Sequence, residues 1–179
     1  MRTLPLVSLA ALVLGPPSLR AQEFRLGLGV FTVAKNGLDL QADIRPKASH
    51  WQAGFKYVHW KDTSKDPFTG RVLTETTQTR VGPFVNYLFH PEASGTWYLG
   101  GSVLRWSKEE LALLTNEVGR ASTTSPYVGG GYTGTLGRHF YYILGLTLSP
   151  GARLNTQTSV SSEQDSGAFD IQAQVGVRF

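Results

Sequence analysis

The sequence predicts an all-β fold: an eight-stranded antiparallel up-and-down β-barrel that crosses a membrane. Three observations carry this. Residues 170–179 alternate without a break, with Ile171, Ala173, Val175, Val177 and Phe179 on one face and Asp170, Gln172, Gln174, Gly176 and Arg178 on the other. Period two is the spacing of a strand with one apolar and one polar face. Seven segments upstream alternate in the same way. No run after residue 21 is long and apolar enough to span a bilayer as a helix, which needs about 20 residues. Membrane insertion would therefore require a closed barrel, which satisfies its own backbone groups.

Ahead of the strands, Arg2 and the apolar stretch 4–14, broken by Gly15-Pro16-Pro17 and followed by Ala21, have the layout of a secretory signal peptide. Residues 1–21 are thus expected to be removed and residues 22–179 to form the barrel domain. Losing Arg2 and Arg20 from 17 basic residues leaves 15 against 13 acidic ones, so the mature protein is close to neutral and nothing argues for nucleic acid. An exported chain without cysteine must be held by packing and hydrogen bonds rather than disulfides.

The first segment, 23–33, sets Phe24, Leu26, Leu28 and Val30 outward and Arg25, Gly27, Gly29 and Phe31 inward. Asn36-Gly37 after Lys35 is a hairpin signal. It opens a second segment, in which Leu38, Leu40, Ala42 and Ile44 alternate with Asp39, Gln41, Asp43 and Arg45. The third places Trp51, Ala53, Phe55 and Tyr57 against Gln52, Gly54, Lys56 and Val58. The fourth spans 72–89, with Val81, Val85, Tyr87 and Phe89 opposite Arg80, Gly82, Phe84 and Asn86. Pro83 removes a ladder donor, so a bulge is expected there. In the fifth, Trp97, Leu99, Gly101 and Val103 lie opposite Tyr98, Gly100, Ser102 and Leu104. The sixth, 125–136, carries Gly129-Gly130-Gly131, which fits close strand packing or curvature. The seventh sets Phe140, Tyr142, Leu144, Leu146 and Leu148 opposite Tyr141, Ile143, Gly145 and Thr147.

The connections are unequal. Short turns fall at 46–49, 91–95 and 137–139; at the other end the connections are 34–37, 61–71, 107–121 and 150–167, and three of these are long. Phe24, Trp51, Tyr87, Phe89, Trp97, Phe140, Tyr142 and Phe179 share the outward face at the short-turn ends of their strands, as a girdle of amphipathic rings at headgroup level would. The inward face gathers Arg25, Asp39, Asp43, Arg45, Lys56, Arg80, Asp170 and Arg178. A barrel this narrow is filled by its own side chains, and an unpaired buried charge is costly. These groups should pair across the lumen, Asp39 and Asp43 with basic residues of neighbouring strands and Asp170 with Arg25 or Arg178.

Together the exported N-terminus, eight amphipathic strands, short turns opposite long loops and a closing strand that ends on Phe179 resemble the small eight-stranded bacterial outer-membrane barrels of the OmpA/OmpX type. The resemblance covers the architecture of the mature chain, not a diagnostic motif. It implies residence in the outer membrane among outer-membrane lipid and lipopolysaccharide, with the short turns in the periplasm. It also implies assembly by machinery that reads the C-terminal strand. An extracellular ligand would be met by the loops at 107–121 and 150–167. Family members include anchors, adhesins, host-factor binders and narrow channels, so the fold leaves the role open. No peptidoglycan-binding domain follows the barrel in this sequence, so a wall tether is not expected.

No catalytic, cofactor or metal site is expected. Outer-membrane barrels that act on lipid A need a histidine near a serine and an acid, but none of His50, His59, His90 and His139 has a serine two residues on. No His, Asp or Glu group has metal-ligand spacing, and the glycine triplet has no Lys-Ser/Thr of a phosphate loop behind it. Ser107-Lys108-Glu109-Glu110 before Leu111-Ala112-Leu113-Leu114 reads equally as a capping box opening a short helix and as an extension of strand five. Residues 155–167, rich in Ser, Thr and Gln, read as a mobile segment. The expected function is a non-enzymatic integral outer-membrane protein that stabilises the membrane or presents its loops. The alternative is a narrow channel for small or apolar solutes; a lipid A-modifying enzyme or a soluble lipocalin-like binder is less favoured.

Overall fold

Strands that alternate strictly leave a polar face to be paired and an apolar face to be covered, and closing the sheet removes its edges. The computed structural model describes residues 22–34, 37–149, 151–157, 162–166 and 169–179; the expected signal peptide lies outside them. The elements are β1 (Gln22–Gly29), α1 (Val30–Ala34), β2 (Leu38–Pro46), β3 (Trp51–Lys65), β4 (Val72–Leu88), β5 (Gly95–Ala112), β6 (Glu117–Leu136) and β7 (Phe140–Leu148), then β8 (Arg153–Gln157), β9 (Ser162–Ser166) and β10 (Phe169–Arg178). Seven strands, β1 to β7, run in sequence around a closed antiparallel barrel, and β10 completes it between β7 and β1. The closing register sets Leu26 opposite Val177 and Arg25 opposite Arg178. The expected eight-stranded up-and-down barrel is therefore the fold.

The wall is uneven. β3 to β6 are 15, 17, 18 and 20 residues long, against eight to ten for β1, β2, β7 and β10. Two tall hairpins therefore rise from one side, at the end away from the termini. Several expectations change accordingly. Residues 107–112 continue β5 and pair with β6, Lys108 opposite Ala121 and Leu111 opposite Val118, so the strand reading holds over the helix. The loops expected at 61–71 and 107–121 shrink to the tips between Lys65 and Val72 and between Ala112 and Glu117. Asn116, with a φ of 55°, turns the second tip, a conformation that asparagine tolerates.

The first strand is shorter than expected. It leaves the sheet at Gly29, and residues 30–34 form a single helical turn that closes through Gly37 N–H to Thr32 C=O at 2.8 Å. Phe31 is consequently exposed rather than inward. The Lys35-Asn36 part of the expected hairpin turn lies outside the described residues. Pro83 makes no bulge: the β4–β5 ladder skips Gly82 and Pro83 and resumes in the same register, Val81 opposite Arg105 and Phe84 opposite Ser102. The proline thus costs a ladder bond without shifting the strand, and at Gly82 the two strands approach so closely that a Cβ would collide with the Val103 carbonyl oxygen. Finally, part of the segment read as mobile forms the β8–β9 hairpin. Ala152 and Leu154 at its start are buried in an apolar cluster with Leu104, Trp106 and Tyr127 on the inner face of the β5–β6 wall.

Candidate functional site

The interior is layered, and each layer follows from strand parity. At the end near the termini, Glu23 sits between Arg45, at 2.5 Å, and Arg178, at 3.9 Å. Arg45 also donates to the Pro91 carbonyl, and Arg178 to those of Arg138 and Gly137. One layer up, Arg25 Nε donates to Asp43 Oδ1 at 2.7 Å. Gln41 donates to the other Asp43 oxygen at 3.2 Å, and the Arg25 guanidinium lies 4.8 Å from the centre of the Tyr141 ring. Asp39 accepts from Gln174 of β10 at 3.4 Å, and Tyr98 donates to Gln172 at 3.0 Å.

Above these, Lys56 Nζ reaches Asp170 Oδ2 at 2.9 Å, and Arg80 approaches the other Asp170 oxygen at 3.8 Å. The Arg80 guanidinium lies over both the Trp60 and the Trp106 ring, 5.2 and 4.6 Å from their centres, while Trp106 donates its indole N–H to Gln78 at 3.0 Å. In the tall part of the wall, Lys108 and Glu110 pair at 3.7 Å with both side chains shielded.

All eight charged residues expected in the lumen point inward. Asp39 accepts from the Gln174 amide of β10 and not from a basic residue of a neighbouring strand, and Asp170 too has other partners than those expected. It pairs with Lys56 and Arg80, not with Arg25 or Arg178. The reason is direction along the strand: Asp170 begins β10, whereas Arg178 ends it and lies opposite Arg25. Glu23, Lys108 and Glu110 join the lumen network beyond the expected set. Glu23 shares the parity of Arg25, so the alternation itself contains that signal. The other two require knowing that β5 extends past residue 107.

Outside, the polarity is reversed. Phe24, Trp51, Phe89, Trp97, Phe140 and Phe179 are exposed on the outer face, and Tyr87 and Tyr142 are half-buried among their ring neighbours. Tyr87 touches Trp51 and Phe89 at 5.2 and 5.6 Å, and Phe24 lies 6.3 Å from Phe179. Tyr132, not among the expected girdle residues, links Trp97 to Tyr142 at 5.4 and 6.2 Å. Above this ring the outer face is aliphatic, with Leu28, Leu99, Val103, Val128, Leu146 and Ile171 all exposed.

The middle of the lumen is narrow. The void between Gln41, Lys56 and Tyr98 is about 20 Å³, comparable to the roughly 10–15 Å³ that one water requires. Larger spaces lie at the ends. One of about 570 Å³ opens among Glu23, Arg45, Glu92, Arg138 and Arg178 near the termini. Another, of about 480 Å³, lies where α1 flanks the start of β10. No group of three or more metal-ligating side chains occurs among the described residues.

No protein-family model matches the sequence, and no curated protein is similar to it. Solved structures do match the fold. The N-terminal β-barrel domain of Pseudomonas aeruginosa OprF aligns over 88% of this chain and 96% of its own, with a TM-score of 0.52 and 12% identity. A major outer membrane protein from Thermus thermophilus aligns over 88% and 98%, with a TM-score of 0.53 and 12% identity. The architecture is that of eight-stranded outer-membrane barrels, shared at a level where sequence is no guide to role.

Proposed function

We propose that this chain is a non-enzymatic integral protein of the bacterial outer membrane, in which a plugged barrel holds tall hairpins at the cell surface. The inverted polarity carries the reading: paired charges fill the inside, and aliphatic side chains bounded at one end by aromatic rings cover the outside. In water that outer face would be an apolar surface far larger than soluble monomers expose; in lipid it is the favourable arrangement. The aromatic ring would sit at the periplasmic headgroups and the β3–β4 and β5–β6 hairpins would stand outside, among lipopolysaccharide. The similarity to outer-membrane barrels supports this placement, and assembly through the C-terminal strand goes with it.

The narrow void favours support over conduction. Reconstitution into liposomes of outer-membrane lipid tests both halves. The expected result is a heat-modifiable band resistant to alkaline extraction and a silent planar bilayer. Recovery in the aqueous phase would overturn the membrane placement, and steady single-channel conductance would overturn the plug.

A further inference from the structure

The barrel wall has a seam. β10 pairs with β1 only from Gln174 to Arg178, because β1 leaves the sheet at Gly29 and α1 takes its place. Along Phe169–Ala173 the described partners of β10 lie on the β7 side alone. The 480 Å³ cavity sits at this seam. Its lipid-facing rim is apolar, formed by Phe31, Phe169 and Ile171, all more than half exposed. Its inner end carries the charged pair Arg80 and Asp170 beside Val58 and Trp60. A path therefore leads from the outer face of the barrel to a lumen cation.

That cation carries a donor without an acceptor. Arg80 Nε is buried with no hydrogen-bond partner. The acidic contact of Arg80 among the described residues, Asp170 at 3.8 Å, is beyond hydrogen-bond reach, and Asp170 is already engaged by Lys56 at 2.9 Å. The Trp60 and Trp106 rings lie 5.2 and 4.6 Å from the guanidinium carbon, and guanidinium N–H groups point in their own plane, where a flat carboxylate is the matching acceptor. A donor group left unmet in a shielded site is destabilising, and an incoming acceptor would remove that penalty.

We infer that the seam is a binding site for a single-chain carboxylate amphiphile of fatty-acid type. It enters laterally from the outer leaflet, its acyl chain against Phe31, Phe169 and Ile171 and its carboxylate on Arg80. The cavity volume, about 480 Å³, falls in the roughly 300–1,000 Å³ range of small-ligand sites, which suits one acyl chain. This inference rests on the membrane placement proposed above.

The test uses the W51F/W97F protein, in which Trp60 and Trp106 remain as the reporters, folded in an uncharged detergent. Dibromostearate is the quencher, and its methyl ester and a brominated lysophosphatidic acid are the comparisons. The expected result is saturable quenching by the acid that weakens about tenfold or more in R80Q, in line with the loss of a charge-assisted hydrogen bond. I171F, which fills the rim without touching charge or adding a tryptophan, should abolish saturation. Heat-modifiable migration of each variant confirms the fold, and its loss in the parent protein would strike at the membrane placement instead. Equal quenching by acid and methyl ester, tighter binding of the phosphate amphiphile, or an unchanged R80Q protein would each overturn the assignment.

Discussion

Arg25 and Asp43 meet across the β1–β2 ladder at 2.7 Å, with only 3% and 0% of their side chains open to solvent. They lie opposite each other in register, so the pair is set by strand alignment and not by a flexible reach. Removing one partner leaves the other charged and enclosed, which costs about 3–5 kcal/mol in buried pairs. Asp43→Asn should therefore lower the stability of the refolded barrel by that order, measured as the shift in urea unfolding in vesicles. The double variant Arg25→Met/Asp43→Leu should recover most of the loss, because two apolar side chains leave no charge behind. A single variant as stable as the parent would mean that water reaches this layer.

The same layer contains a close fit. A Cβ at Gly27 would collide with the Tyr141 hydroxyl, so the glycine provides the space in which the ring lies beneath the Arg25 guanidinium. Gly27→Ala should destabilise by about 1–3 kcal/mol, as overpacking does. Adding Tyr141→Phe removes the colliding oxygen and keeps the ring, and should restore at least half the loss in the same unfolding assay. No rescue would place the strain in the backbone between β1 and β10.

This layer also shows what the residues reveal on their own. Parity alone places Arg25, Asp43 and Arg178 inside and Phe24, Trp51 and Trp97 outside, because an in–out period of two is a local property. Partners are harder. Parity does not reveal that Asp170 belongs with Lys56 and Arg80 rather than with Arg25 or Arg178, because that depends on its height along β10, a register set by distant strands. Strand height is also hidden: Lys108 and Glu110 sit in a stretch with equal claims to helix and strand, and only pairing with residues 117–122 decides it. The seam at Phe169–Ala173 exists because β1 stops at Gly29, in a segment whose alternation continues to Val33.

The β8–β9 hairpin should behave as a hinged cover. Leu154 is buried against Leu104, Trp106 and Tyr127, so Leu154→Asp would set a charge among apolar and aromatic side chains. The hairpin should release while the barrel, closed independently below it, stays folded. In a protein whose only tryptophan is Trp106, acrylamide quenching should rise several-fold in the variant with heat-modifiable migration unchanged. Unaltered quenching would mean that Trp106 is shielded by the wall itself.

The tip of the β3–β4 hairpin, outside the membrane in the placement proposed above, provides a pH-dependent reporter. Asp66 Oδ1 accepts the backbone N–H groups of Phe68 and Thr69 at 2.7 and 3.0 Å. These bonds favour the carboxylate and hold its pKa below the ordinary 3.8. A depressed acid contributes stability above its unfolded value, and that contribution is lost as pH falls through the folded one. The turn should therefore keep its order down to pH 3.8 and lose it at lower pH. The amide shifts of Phe68 and Thr69, followed by NMR in detergent, should titrate together with a midpoint under 3.8, and Asp66→Asn should show no such step. A midpoint at or above that value would mean that the two amides do not bind the charged carboxylate in solution.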